Sequence, residues 1–261
     1  GGQTRSYNLI KRLSSLGNEI TLFSLVKNDI ERGYVDELQK YCKEIQVFPS
    51  SERPWTAGNI LRTGFSVFPF LVFRNWAKGE KGAIEQKLRE EKFDLIHAET
   101  FYVMPHIPKT KIPILLVEQT IEYLVYRHFV DGYKIPFIKP FLYIDVIKMK
   151  YWELKYWQMA SKVVAMSHED KVTMMREIKG LDVDIVPNGV DSNFFAKRVS
   201  DKSKEPIILY LGNFTWLQNR EAVEVLIKKV WPKIKKGLPV AKLWIVGKEA
   251  KSFFSNFTSS D

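Results

Sequence analysis

The sequence has almost no cysteine. Cys42 stands alone among 261 residues, which excludes an intramolecular disulfide and fits a reducing compartment. It also lacks any run approaching the ~20 apolar residues that a membrane-spanning helix needs. The longest, Phe65-Ser66-Val67-Phe68-Pro69-Phe70-Leu71-Val72-Phe73, is too short and is broken by Pro69. No signal-peptide pattern stands ahead of the first helix pattern, so a cytoplasmic location is expected, peripheral at most to the inner face of a membrane. Repeats of solenoid period, low-complexity tracts and nucleic-acid recognition motifs are missing too, and no nucleic-acid partner is expected. Acidic residues are the scarcer charge: 30 against 40 basic ones leave a net charge of +10. That excess asks for an anionic partner such as a phosphate-bearing ligand or an acidic membrane face, although most of the scattered lysines read as solvated helix faces.

What is present is ample apolar material, 45% of the chain, in short runs alternating with helical patterns. The chain turns on Asp182-Val183-Asp184-Ile185-Val186-Pro187-Asn188-Gly189-Val190-Asp191. A short strand stops there at Pro187, which cannot donate to a ladder, and opens into Asn188-Gly189, a pair that readily takes positive φ. Polar residues without period follow from Ser192 to Lys204, and the pattern restarts with the apolar run Pro206–Leu211 and Gly212. Before this seam, Gly1-Gly2 runs into a helix with Leu9, Ile10, Leu13 and Leu16 on one face and Gly17 as its stop. Strands are expected over Glu19–Val26, Ile45–Pro49, Phe93–Glu99, Ile112–Val117 and Lys162–Ser167. Helices are expected over Glu31–Cys42, Pro54–Trp76, Glu80–Glu91, Pro140–Ser161 and, capped by Ser167, His168–Ile178. After the seam come a strand Ile207–Leu211, a loop Gly212–Gln218, a helix Asn219–Val230 capped by Asn219 and ended by Pro232, and a strand Leu243–Gly247.

Such alternation predicts parallel sheets with right-handed crossovers, and ligands outside the carboxyl ends of the strands. Those ends carry Glu99, Glu118-Gln119, Ser167 and Gly212-Asn213. A glycine pair ahead of a helix usually follows a strand, and since none precedes Gly1 the pattern reads as a fragment cut just after one.

Four segments, in order, carry a family resemblance. They are Gly1-Gly2 with Arg5 and then Leu16–Leu22; Val163-Val164-Ala165-Met166-Ser167; Ile185–Asp191 with Phe194 or Phe195; and Tyr210–Asn219, closing with Trp231-Pro232 and Leu243–Gly247. Together they resemble the retaining glycosyltransferases of the GT4 family. The resemblance implies an α/β protein of GT-B architecture, two doubly wound Rossmann-like domains facing a cleft, the second one truncated. Residues 1–187 would form the N-terminal, acceptor-side domain, 188–205 a linker, and 206–261 a partial nucleotide-sugar donor domain. It implies transfer of a sugar from a nucleotide-diphosphate sugar to a glycan or lipid-linked acceptor with retention, without a cofactor or a bound metal. Donor contacts then fall on Gly2, Gly212, Asn213, Trp216, Asn219 and Arg220. Acceptor or sugar contacts fall on Arg5, His97, Gln119 and Glu122, and a hinge on Asn188, Gly189 and Asp191. The physical need is to hold a diphosphate that gains charge as the glycosidic bond breaks, which amides at a helix N-terminus can supply.

The chain departs from the family pattern in places. Asn213 and Gln218 stand where many members carry a basic pair, leaving Arg220 as the nearest cation. Gln119 replaces the usual histidine, so it can hydrogen-bond a hydroxyl but cannot carry a proton. His97, at a strand end, reads more simply as a satisfied buried histidine. The family's late pair of glutamates has no counterpart before Asp261, so this stretch is expected to be inactive and poorly soluble by itself. A sugar-nucleotide binding module, an inactive piece and a sugar-nucleotide epimerase remain as alternatives; the last would need titratable groups around the sugar. A final expectation concerns Phe65, Phe68, Phe70, Phe73 and Trp76 with Lys78 and Lys81, a stripe that is either ordinary core or a face resting on anionic membrane.

Overall fold

Every described strand pairs parallel with its neighbour, as strands alternating with helices require. The computed structural model describes residues 2–50, 55–192 and 206–257, and the chain divides into two units, Gly1–Val190 and Asp191–Asp261. Most of the expected linker, with Phe194 and Phe195, lies outside the described residues, as do Gly1 and Pro54.

In the first unit, α1 (Gly2–Ser15) ends at Gly17, whose φ of +86° reverses the chain into β1 (Thr21–Val26). β1 pairs with β2 (Glu44–Pro49). The single helix expected between them is two short ones, α2 (Asp29–Gly33) and α3 (Val35–Leu38). Asn28 caps the first by accepting the Glu31 N–H at 3.0 Å, and Gly33, a poor helix former, closes it. The helical stretch expected through Trp76 is likewise split into α4 (Ala57–Phe65) and α5 (Phe70–Arg74). Pro69 forces this break, because it keeps the preceding residue out of the helical region.

Helix α6 (Glu80–Glu90) leads to β3 (Ile96–Glu99), a 3₁₀ turn over Phe101–His106, and β4 (Ile114–Glu118). Then come α7 (Glu122–Asp131), α8 (Lys139–Met159), β5 (Lys162–Ala165), α9 (His168–Glu177) and β6 (Val183–Ile185). The four strands form one sheet in the order β3-β4-β5-β6, with Leu116 beside Val163 and Ala165 beside Ile185. Among the described residues the unit therefore holds two parallel sheets, of two and four strands, rather than one continuous sheet. Lys87 of α6 links them: it pairs with Glu44 at the start of β2 and with Glu91 Oε1 at 3.1 Å. The main core lies on the four-stranded sheet, where Trp157, Phe101, Leu116 and Met174 are wholly buried. Each such side chain contributes about 2–3 kcal/mol of transfer free energy.

The second unit pairs β7 (Ile207–Leu211) with β8 (Lys242–Val246). Between them run α10 (Leu217–Val225), a π turn over Leu226–Val230 and α11 (Trp231–Gly237). Pro232 was expected to end the helix; instead the wider π turn precedes it and the helix resumes, which places the missing N–H in a first turn where it has no intrahelical partner to lose. α12 (Ala250–Phe254) follows β8. Phe214, Val223 and Phe254 form a small core on one face of this sheet, while Leu209, Leu211 and Trp244 stand exposed on the other. No described helix is long and apolar enough to cross a membrane.

Candidate functional site

In the first unit, polar side chains from separate segments converge at the carboxyl ends of β3 and β4. Glu99, the last residue of β3, is their centre. Its Oε1 accepts from Arg5 Nη1 at 3.4 Å and meets His97 Nε2 at 3.1 Å, and its Oε2 accepts from Gln119 Nε2 at 3.0 Å. Arg5 also donates from Nη2 to the Val186 carbonyl at 3.4 Å, so the start of α1 is tied to the ends of both β3 and β6. Burial works against the Glu99 charge, but hydrogen bonds from His97 and Gln119 with the Arg5 cation outweigh it and hold the carboxyl below its ordinary range. Gly2 opens α1 directly against Gln119: a Cβ there would collide with the amide of that side chain. The cluster thus presents an ionised carboxylate, a guanidinium, an amide and an imidazole at the edge where parallel sheets receive ligands.

The backbone entering this edge is strained. Thr100, directly after Glu99, has φ +74°, a conformation that a β-branched residue adopts only when its surroundings impose it.

Behind the cluster lie buried acids. Glu118 is wholly buried, and its Oε1 accepts from Trp157 Nε1 at 3.0 Å. Glu153, also wholly buried, accepts the Glu122 N–H at 2.8 Å and the Tyr123 N–H at 2.9 Å. Burial raises both carboxyls, Glu153 to about 8; the Glu153 charge further opposes ionisation of Glu118, and the Glu122 charge opposes that of Glu153. Both Glu153 oxygens are occupied by amide donors at a helix N-terminus, which favours its charged form and offsets part of the burial. Glu122, half-buried at the first position of α7, is raised by burial and partly restored by Arg74.

A further buried acid, away from this pair, is Glu80, which burial pushes up to about 7. It lies 3.4 Å from His106 Nε2. That imidazole, lowered by burial, accepts the Ala77 N–H at 3.3 Å and donates from Nδ1 to the Val103 carbonyl at 3.3 Å. These groups set a pH dependence. A carboxyl raised above its unfolded value holds a proton that the unfolded chain has lost, so its stabilisation fades as pH rises through the folded value. His106, being depressed, acts oppositely but only below its ordinary value of 6.5. From pH 6.5 to 8.5 the loss from Glu80 and the Glu118–Glu153 pair operates without that opposition. Stability is expected to fall over that window by on the order of 2 kcal/mol, read as a drop in Tm. Glu80→Gln should flatten the slope, and a Tm constant across the window would contradict the assignment.

In the second unit, the loop Gly212–Trp216 joins β7 to α10. Gly212 N–H donates to the Val246 carbonyl and Phe214 N–H to the Lys248 carbonyl, each at 3.0 Å. Asn213 Oδ1 accepts from Thr215 N and Oγ1, at 3.1 and 2.9 Å. Asn219 was expected to cap the helix. The helix instead begins at Leu217, and the Asn219 amide donates to the Asn213 carbonyl at 2.9 Å, bracing the loop. Trp216 is 60% exposed. Arg220, read from sequence as a diphosphate ligand or a solvated residue, stacks its guanidinium 4.6 Å from the Phe253 ring. Gly247 follows β8 at φ +139°, and a Cβ there would run into the Gly212 carbonyl oxygen.

Four of the sequence-named residues, Gly2, Arg5, His97 and Gln119, thus meet around Glu99. Glu122 lies three residues beyond Gln119 on the segment that Glu153 holds. His97, expected to be buried, is exposed at the open edge of β3. Gly212, Asn213, Trp216 and Asn219 share one loop. Asn188 and Gly189 take no positive φ; they and Asp191 are exposed, and the division between the two units falls after Val190. Glu99 was visible as a strand end, but nothing local marked it as the hub. Glu153, Trp157 and the strain at Thr100 gave no sequence signal. Among the described residues, no group of three or more His, Cys, Asp or Glu side chains is arranged to hold a metal ion.

Residues 1–194 match the profile of Glycosyltransferase Family 4. Among curated proteins none matches the chain. The matched span takes in the whole first unit, with the Arg5–Glu99–Gln119 cluster at its strand ends. The protein belongs to glycosyltransferase family 4.

Proposed function

We propose that the protein is a retaining glycosyltransferase of GT-B type that moves a sugar from a nucleotide-diphosphate donor to a glycan or lipid-linked acceptor. The observation that carries this reading is the cluster around Glu99, built at the carboxyl edge of a parallel sheet inside the span that defines the family. The bond between the anomeric carbon and the diphosphate oxygen breaks, the acceptor hydroxyl oxygen bonds to that carbon, and its proton passes to the departing diphosphate. Charge grows on the diphosphate as this happens, and amide donors at the start of α10, braced by Asn219, are suited to receive it. Trp216 offers an exposed aromatic face for stacking. In the first unit, Glu99 and Gln119 position a hydroxyl by hydrogen bonding. Gln119 carries no proton, so that role falls to the leaving group.

Calorimetric titration with nucleoside diphosphates and nucleotide-diphosphate sugars tests the donor half. Asn219→Ala is expected to weaken binding about tenfold, the loss of one bracing hydrogen bond, while Glu99→Gln leaves it unchanged and lowers transfer about a hundredfold. Gly212→Val is a poorer probe, because a Cβ at that position already lies 3.1 Å from the Tyr210 ring. Transfer should persist in EDTA, and product NMR reads the anomeric configuration. Absence of binding to any nucleoside diphosphate sinks the reading, and an inverted product sinks its stereochemical part.

A further inference from the structure

Helix α8 is apolar on both faces. A helix of that kind is normally buried all round, yet only one face of α8 is covered. Its inner side places Met149, Tyr156 and Trp157 in the core. Its outer side carries Phe141, Ile144, Ile147 and Tyr151, which are 72%, 51%, 68% and 58% exposed. Their spacing of three, three and four aligns them in one stripe, about 15 Å long at helical rise. Beside it runs α4, an amphipathic helix with no buried residue, whose Leu61 and Phe65 are 60% and 93% exposed. The two helices are fixed together: Lys148 Nζ donates to the Thr63 carbonyl at 2.7 Å, and Trp152 Nε1 donates to the Val67 carbonyl at 2.9 Å.

The charge around this apolar face is mostly basic, Asp131, which accepts from the Tyr143 hydroxyl on α8, being the exposed acid beside it. Residues 55–79 contain Arg62, Arg74 and Lys78 and no acid. Residues 132–152 contain Lys134, Lys139, Lys148 and Lys150, the last paired with Glu177 Oε2 at 2.8 Å, and a single acid, Asp145, which is buried and accepts the Phe70 N–H at 2.9 Å. We propose that the α4–α8 face docks on the surface of an anionic lipid bilayer. Large apolar side chains entering the headgroup boundary with lysines around them suit that surface. A second copy of the chain suits it poorly, since a symmetric contact would set several lysines against lysines with Asp131 as the nearby exposed acid to pair them. This face shares Phe65 with the stripe expected from sequence but otherwise differs from it, since Phe70 is buried and Phe68 packs on the core. The inference stands apart from the donor and acceptor assignments and does not depend on them.

The test is sedimentation with phosphatidylcholine vesicles, with and without phosphatidylglycerol. Binding is expected with the anionic vesicles only and should weaken as salt is raised. Ile147→Glu, at an exposed position, should reduce it about tenfold or more without changing Tm or nucleotide binding. Lys134→Glu with Lys139→Glu should reduce it and lessen its salt dependence. The proposal is overturned by absence of binding, or by binding that Ile147→Glu leaves intact. It is equally overturned by sedimentation velocity showing a dimer that Ile147→Glu dissolves, which would assign the face to a second copy.

Discussion

Gly247→Ala is expected to unfold the second unit while leaving the first one folded. Gly247 holds φ +139°, and a Cβ built there overlaps the carbonyl oxygen of Gly212. The obstacle is backbone, so no side-chain rotation relieves it. Relief requires either a new backbone conformation at residue 247 or separation of the two strand ends. The first costs about 1–3 kcal/mol for a residue other than glycine. The second breaks the bonds from Gly212 N–H to Val246 and from Phe214 N–H to Lys248, each contributing about 1 kcal/mol. Phe214 forms a buried cluster with Val223 and Phe254, so displacing its segment loosens both of them as well. A unit this small has a total stability of about 4–10 kcal/mol, and the combined loss takes most of it. Limited proteolysis should then cut the second unit rapidly, and urea unfolding should lose one transition. Gly212→Ala is the control: its φ is not positive, and its Cβ would press on the Tyr210 ring, which can give way. Equal stability of the two variants would show that residue 247 does not hold this conformation.

The same pair of glycines shows how far the sequence could be read. Tyr210-Leu211-Gly212 and Ile245-Val246-Gly247 each read as a buried strand ending at a glycine, and the structure places them side by side. Their mutual contact is a property of pairing, which no single strand records. Local chemistry was legible where the partner is close in sequence. Gly17 ends α1, and Ser167 caps α9 by accepting the Asp170 N–H at 3.0 Å. Where the partner is distant, local rules misled. Asn188-Gly189 carries the strongest turn signal in the chain and takes no positive φ, whereas Thr100 and Glu249, which carry none, do. The strand-end rule pointed to Glu99 and Gln119, but the link to Arg5 spans 94 positions and came only with the fold.

Helix α7 is the clearest failure of local reading, and Glu153 is its cause. No helix is expected from sequence over Glu122–Asp131, and Ile121 before it makes no side-chain cap. The acceptor comes from α8 instead, about thirty residues later: Glu153 takes the first two amides of α7 at 2.8 and 2.9 Å. Glu153→Ala is therefore expected to destabilise the first unit by about 3–5 kcal/mol. Two amides would lose their partner in the interior, at about 1–3 kcal/mol each, and the truncation opens a void beside Trp157. One effect runs the other way. With the Glu153 carboxyl gone, Glu118 keeps the contributions of burial and of the Glu122 charge to its raised pKa, so part of the electrostatic cost is removed and the stability slope above pH 6.5 becomes shallower. That relief is smaller than the loss, because burial is the first cause of the Glu118 shift and remains. Glu153→Gln preserves volume and one acceptor, and should cost about 1–2 kcal/mol. The order wild type, Glu153→Gln, Glu153→Ala should appear in urea midpoints. The same order should appear in transfer rate, because Gln119 sits on the segment that these two amides anchor. An alanine variant as stable as wild type would mean that the α7 amides find other partners, and the anchoring role of Glu153 would be lost.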